Sequence, residues 1–131
     1  MMTDPLGDML ARIRNAYQAG HADLLCPSSK MKLAVGRVLA EEGFLAGVEV
    51  EPREGKAFLR IRLRYGADGR PILDGLRRVS RPGRRVYVGA AGIPKVRSGL
   101  GTAVISTNRG ILSDRTARAE ALGGELLCEV W

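Results

Sequence analysis

The stretch Ile105-Ser106-Thr107-Asn108-Arg109-Gly110, near the end of the chain, concentrates its short hydrogen-bonding side chains. Ser and Thr hydroxyls each donate and accept, the Asn amide does both, and Gly lets backbone approach a partner closely. Such a set can read the donors and acceptors of a ligand. It lacks what catalysis requires. A nucleophilic Ser106 needs a general base, and the only histidine, His21, lies far upstream in a glycine-flanked connection, with no GxSxG elbow around the serine. No catalytic residue is assigned. No metal ligand is assigned either, because Cys26 and Cys128 have neither a CxxC spacing nor a His cluster and read as two reduced, buried thiols. No cofactor is expected, since Gly99-Leu100-Gly101 lacks the surrounding pattern of a phosphate loop.

Charge is the second chemical feature. The 131 residues carry a net charge of +7, from 17 Arg and 4 Lys against 14 acids, and a pI near 10.1. Arginine's planar fork suits phosphate and base edges. Between Arg53 and Arg97 there are 13 basic and 3 acidic residues, so this segment holds the whole surplus and the remainder is net negative. A field of that sign attracts a polyanion. Nucleic acid fits better than a membrane surface, because no basic amphipathic helix accompanies the charge and no apolar run is long enough for a span. Asp4 and Asp8 stand where a secretory signal would need basic then apolar residues, so the cytoplasm is the expected compartment.

The elements that must position the polar stretch follow from periodicity. Thr102 to Ile105 reads as a strand ahead of it. Behind come Ile111-Leu112, a short helix capped by Ser113 with Asp114 and Arg118 at i,i+4 and Thr116 facing Glu120, a Gly123-Gly124 stop, and a closing strand from Glu125 to Trp131. Upstream, Leu76 to Ser80 and Arg84 to Val88 read as strands joined by a type II turn at Arg81-Pro82-Gly83. From Gly75 to Arg97 there are seven basic residues and no acid. Gly89 to Gly101 is a glycine-rich connection with room for one helical turn at Ile93-Pro94-Lys95-Val96.

The first half is a different kind of lobe. Asp4-Pro5 starts a helix over about residues 5 to 18, with Leu6, Met9, Leu10, Ile13, Ala16 and Tyr17 on one face and Asp8, Arg12 and Asn15 opposite. Arg14, on a flank, is either solvated or a phosphate contact. A strand over Asp23 to Pro27 precedes a second helix capped by Ser28 or Ser29, with an apolar stripe of Met31, Ala34, Val35, Val38 and Leu39. Gly43 is its left-handed stop and Phe44 packs back on the last turn. The free amides beside Ser29 and Lys30 can hold an anion. Leu45 to Val50 and Ala57 to Tyr65 form a hairpin around Pro52 to Lys56, in which Arg60, Arg62 and Arg64 line one sheet face. That arginine ladder either keeps an exposed face wet or supplies diffuse attraction to a polyanion. The turn-rich Gly66 to Pro71 segment marks a boundary. The expected fold is α+β in two small lobes. Residues 1–66 form an α/β lobe with two helices packed on a three-stranded sheet, and residues 67–131 a mainly β lobe with a short helix.

TDPLGDMLARIRNA from Thr3, PSSKMK from Pro27, EEGF from Glu41, RRVSRPGRRVYV from Arg77 and the run from IPKVRSGLGTAVISTNRG to GGELLCEVW closely resemble the bacterial small-subunit ribosomal protein eight family. The resemblance covers most of the chain. It implies a protein that binds the central domain of 16S ribosomal RNA during early assembly of the small subunit, beside neighbouring small-subunit proteins, and that is monomeric outside the ribosome. The family's loop usually reads Ser-Thr-Ser-x-Gly and enters the minor groove at an irregular internal loop of a stem. Here Ser106, Thr107 and Gly110 match, while Asn108 departs, bulkier but still both donor and acceptor. By the same resemblance Arg14, Ser29 and Lys30 touch RNA from the N-terminal lobe. Tyr87 supports or stacks near the loop, unless it is a buried sheet tyrosine. Arg84 and Arg85 are expected at phosphates, with Ser106 and Thr107 choosing the site. A second reading, compatible with the first, is a repressor that binds the messenger of its own operon. DNA is a poorer fit, because neither helix pair has a connection short enough for a helix-turn-helix.

Overall fold

An Asp ahead of a proline starts the first helix in the computed structural model, which describes residues 3–131. α1 is Pro5–Gln18, and the Asp4 carboxylate accepts the Gly7 amide at 3.1 Å. Leu6, Met9, Leu10, Ile13, Ala16 and Tyr17 are all buried, as the helical spacing requires. After β1 (Asp23–Pro27) comes α2 (Lys30–Glu41), where the Ser29 hydroxyl caps by accepting the Lys32 amide at 3.1 Å. Gly43 carries φ +88 at the helix stop, and Phe44 is buried behind it.

The apolar stripe of α2 differs from expectation at two positions. Val35, Val38 and Leu39 are buried, but Met31 is exposed and Lys32 is buried in its place. The lysine stem is buried while its ammonium donates to the Pro27 carbonyl at 3.1 Å.

β2 (Gly47–Arg53) and β3 (Lys56–Arg62) pair through Arg53 and Lys56, which leaves only Glu54 and Gly55 in the turn. Both have positive φ, 51 and 77, the combination of a two-residue type I′ hairpin. The turn is therefore tighter than the five residues the sequence suggested. The sheet order is β1-β3-β2, antiparallel throughout, with both helices of this half packed against it.

The second sheet contains β4 (Leu76–Arg78), β5 (Tyr87–Val88), β6 (Thr102–Thr107), β7 (Gly110–Ser113) and β8 (Gly124–Val130), with α3 (Asp114–Ala119) between the last two. Its order is β4-β8-β6-β7, and β5 also pairs with β8. β4 and β5 are not a hairpin. Both run antiparallel to β8, one after the other along the same edge, with the Arg81-Pro82-Gly83-Arg84 turn protruding between them. The Val79 and Ser80 amides still donate to Leu127 and Leu126, so the edge continues until the turn leaves it. The helical turn expected at Ile93 to Val96 is also displaced. Short 3-10 turns at Ala90–Gly92 and Val96–Gly99 flank an extended Ile93, because the residue before a proline avoids the helical region.

β6 separates two apolar clusters by alternation. Val104 faces a cluster that joins Met9, Leu10, Ile13, Leu39 and Ile61 from the first half with Leu127, Cys128 and Val130 from the second. Ala103 and Ile105 face the other, with Ile93, Val96, Ala117 and Leu126. Arg78 fastens the first cluster at its rim. Its guanidinium donates to both Asp4 oxygens at 3.2 Å and to the Leu127 carbonyl at 2.8 Å.

Candidate nucleic-acid interface

The polar stretch is the tip of a β-hairpin, more ordered than the loop expected. β6 carries Ser106 and Thr107, β7 begins at Gly110, and Thr107 pairs with Gly110, so only Asn108 and Arg109 turn the chain. Gly110 has φ +110, a value that a side chain would oppose, while Asn108 and Arg109 do not need it. The Thr107 hydroxyl closes the tip, donating to the Gly110 carbonyl at 2.8 Å and accepting the Arg109 amide at 3.1 Å. Its hydrogen-bonding capacity is thus partly spent inside the hairpin. Asn108 is exposed and Ser106 half-buried. Arg109 leans on Glu120 at 3.5 Å, and the Glu120 amide donates to the Thr116 carbonyl one turn back at 3.0 Å.

Register decides what stands beside Ser106. Val104 pairs with Cys128, but Ile105 pairs with Leu126, so one residue of β8, Leu127, is left over as a bulge. Uninterrupted pairing would set Ser106 against Leu126. The bulge sets it against Glu125. On its other side Glu125 pairs with Tyr87 of β5, so Tyr87, Glu125 and Ser106 stand in one row across three strands, their side chains on one face. Tyr87 is 70% exposed, which rules out the buried sheet tyrosine. Gly124 permits the close approach of β8 to β6 here, since a Cβ at that position would run into the Ser106 carbonyl.

Glu125 is the residue that the sequence reading omits. The buried Ser80 hydroxyl donates to its carboxylate, and Ser80 in turn accepts the Val86 amide at 3.2 Å. Arg85 donates to the same carboxylate oxygen at 3.0 Å. Burial pushes the Glu125 carboxyl up, but the hydrogen bonds from Ser80 and Arg85 and the charges of Arg85 and Arg78 outweigh it and hold the group below the usual carboxylate range. The hydrogen bond to Glu125 raises Arg85 correspondingly. A closing strand that alternates polar and apolar gives no sign of this role, because only pairing reveals the neighbours of Glu125.

Arg84 and Arg85 therefore differ. Arg85 is tied to the row, whereas Arg84 is exposed on the protruding turn and lines, with Arg77, Arg78 and Arg81, a cleft of about 310 Å³. Of these four arginines, Arg78 is committed to Asp4 and Arg77 to Glu129 at 2.9 Å, while Arg81 and Arg84 face solvent. Among the described residues, Arg81 and Arg84 are therefore the cleft's uncommitted positive charges.

The remaining sites lie on the first half. Arg14 is exposed, reaching the Leu76 carbonyl at 3.5 Å and lining a cleft with Gln18 and Arg70. Ser29 and Lys30 are exposed at the start of α2. Among the described residues no hydrogen bond or ion pair joins these three to the hairpin. The arginine ladder of β3 is largely neutralised by its own sheet. Arg60 pairs with Glu51 at 2.9 Å and Asp23 at 3.2 Å, and Arg62 with Glu49 at 2.5 Å. Arg64 donates to the Gly43 carbonyl at 3.2 Å. This observation favours the wet, charged face over a source of attraction.

Both cysteines are buried and free, and burial pushes the Cys128 thiol up to about 12. Among the described residues no group of three or more His, Cys, Asp or Glu could hold a metal ion, and no helix is long and apolar enough to cross a membrane.

Known proteins align with this chain from end to end. Residues 4–131 match the family model described as Ribosomal protein S8. The chain is 55% identical over 131 residues to the small ribosomal subunit protein uS8 of Sorangium cellulosum, with the whole of both chains covered. It is 50% identical over 129 residues to the protein of that name from an Azoarcus species, covering 98% of each, and 49% identical over a 138-residue alignment to that of Thermus thermophilus, covering 100% of each. With a family model matched over residues 4–131 and relatives about half identical along their whole length, the chain belongs to the ribosomal protein S8 family.

Proposed function

We propose that this protein, a structural component of the small ribosomal subunit and not an enzyme, binds the central domain of 16S ribosomal RNA directly and acts early in subunit assembly. The observation that carries the reading is the row of Tyr87, Glu125 and Ser106 beside the Thr107 to Gly110 tip. A-form RNA presents a wide, shallow minor groove with 2′-hydroxyls, which short hydroxyl side chains and close backbone can read where long cations cannot. Ser106, Thr107, Asn108 and Gly110 read the irregular stem, and Tyr87 stacks on an unpaired base. Arg84 attracts phosphate while Arg85 is held at the row. Arg14, Ser29 and Lys30 add contacts from the 1–66 lobe, and the 67–131 lobe carries the reading hairpin.

Because such a row recognises local stem shape, a messenger stem of the same shape would occupy the same face, so repression of its own operon messenger is part of the proposal. Footprinting on total ribosomal RNA tests the whole reading. One protected irregular stem in the small-subunit RNA, lost on Ser106→Ala, is expected. Protection scattered over many stems would reduce the protein to a non-specific polycation.

A further inference from the structure

Leu100 is 84% exposed, the most solvent-exposed large hydrophobic side chain among the described residues. Its surroundings are built, not slack. Arg97, Ser98 and Gly99 have consecutive positive φ values of 49, 56 and 92, and two of these residues are not glycine. The turn is anchored on both flanks. The Leu100 amide donates to the Arg97 carbonyl at 3.1 Å, and Gly101 donates to Val96 at 3.0 Å. Arg115 holds the Gly99 carbonyl at 2.9 Å, and the Arg97 guanidinium lies 4.6 Å above the Trp131 ring. Gly101 is buried where a Cβ would meet the Val130 carbonyl and Val96. The fold thus fixes a strained turn and leaves the leucine that closes it in water.

The charge around Leu100 is net positive. Arg77, Lys95, Arg97 and Glu129 line a cleft beside Trp131, and Arg115 reaches the turn at the Gly99 carbonyl. Glu129 pairs with Arg77 and Glu42 with Arg115 at 3.4 Å, which among the described residues leaves Lys95 and Arg97 as the uncancelled cations. We propose that Leu100 is an anchor that docks into an apolar pocket rimmed by carboxylates on a neighbouring small-subunit protein. The proposal rests on the family's place in the small subunit, but not on the RNA-reading role of the hairpin.

Two arguments select protein over RNA. A leucine has neither a π face for stacking nor a hydrogen-bonding group, whereas a concave apolar pocket gains from its burial, and a preformed turn lowers the ordering cost of docking. Leu100 precedes β6 and the hairpin tip follows it, so the two lie at opposite ends of a six-residue strand, roughly 17 Å apart or more. Leu100 is therefore free to face a second partner while the tip holds RNA.

Both native cysteines are buried, so Leu100→Cys introduces one accessible thiol for a benzophenone probe. The labelled full chain is built into reconstituted small subunits and irradiated. The expected product is an adduct to one small-subunit protein, at an apolar segment bordered by Asp or Glu. Adducts on RNA, or none beyond those from a control probe at Ala119→Cys, overturn the proposal. In parallel, Leu100→Asp should leave affinity for the naked stem within about twofold, yet at least about fivefold more protein should leave the subunit in a salt wash. Equal losses in both assays would make the turn an RNA contact and refute the docking role. Failure of the unmodified chain to bind the stem would instead strike the RNA reading, and the cross-link would still decide this one.

Discussion

Ser106 and Glu125 stand directly opposite each other across β6 and β8, an acid set beside a hydroxyl on the face proposed to meet a polyanion. The carboxylate does not repel by default, because Arg85 and Ser80 both donate to it. It acts as the fixed point that holds one cation and one hydroxyl in place. Four consequences can be measured.

Ser106→Ala and Arg84→Ala should differ in kind. The first should weaken binding to the cognate stem by about 1–3 kcal/mol and leave random RNA almost unchanged, because a specific hydrogen bond is lost at a desolvated contact. The second should weaken both RNAs alike and reduce the slope of log K against log salt by about 1. Filter binding over a salt series separates them, and matching losses on cognate and random RNA for Ser106→Ala would refute the division.

Glu125→Gln should destabilise the fold by about 1–3 kcal/mol in urea unfolding, since charge-assisted hydrogen bonds from Ser80 and Arg85 weaken together. It should also release Arg85. Random RNA should then bind more tightly with a steeper salt dependence, by about 0.9 in slope if one more phosphate is contacted, while preference for the cognate stem falls. Unchanged random-RNA binding would show that Arg85 is free already.

Gly124→Ala places a methyl group where the Ser106 carbonyl lies. Backbone cannot yield as a side-chain tip can, so a loss of about 1–3 kcal/mol from overpacking is expected. Because the displaced atom belongs to Ser106, cognate affinity should fall beyond what the lost stability explains. A stable variant that binds normally would show that the strands separate without moving the row.

Acid should loosen the clamp between the two halves. Burial raises the Asp4 carboxyl, but hydrogen bonds from Arg78 and the Gly7 amide, with the charges of Arg78 and Arg81, bring it below its ordinary value. A group lowered by folding stabilises above the ordinary carboxylate range and loses that contribution as pH falls through its folded value, below about pH 4. Urea midpoints measured down to about pH 2.5 should therefore fall less steeply for Asp4→Asn than for the unaltered chain. Parallel pH profiles would remove Asp4 from the account.

Much of this protein was legible in its residue order, because local rules govern those parts. Asp4-Pro5 and Ser29 start helices through backbone amides within three residues of them. The apolar spacing from Leu6 to Tyr17 names its own buried face, and the Ser-Thr-Asn-Arg-Gly stretch advertises hydrogen-bonding chemistry wherever it sits. Long-range pairing obeyed no such rule. The residues alone left the β3 arginines open between a wet face and a source of attraction, and only cross-strand pairing with Glu49 and Glu51 separated the two. Lys32 took the interior place expected of Met31 because the Pro27 carbonyl, at the end of β1, was there to receive its ammonium. The bulge at Leu127 did most. A sheet's side chains alternate with a period of two, so one extra residue changes every partner beyond it. By that shift Glu125 came to stand beside Ser106, a relationship that no local pattern in the closing strand contains.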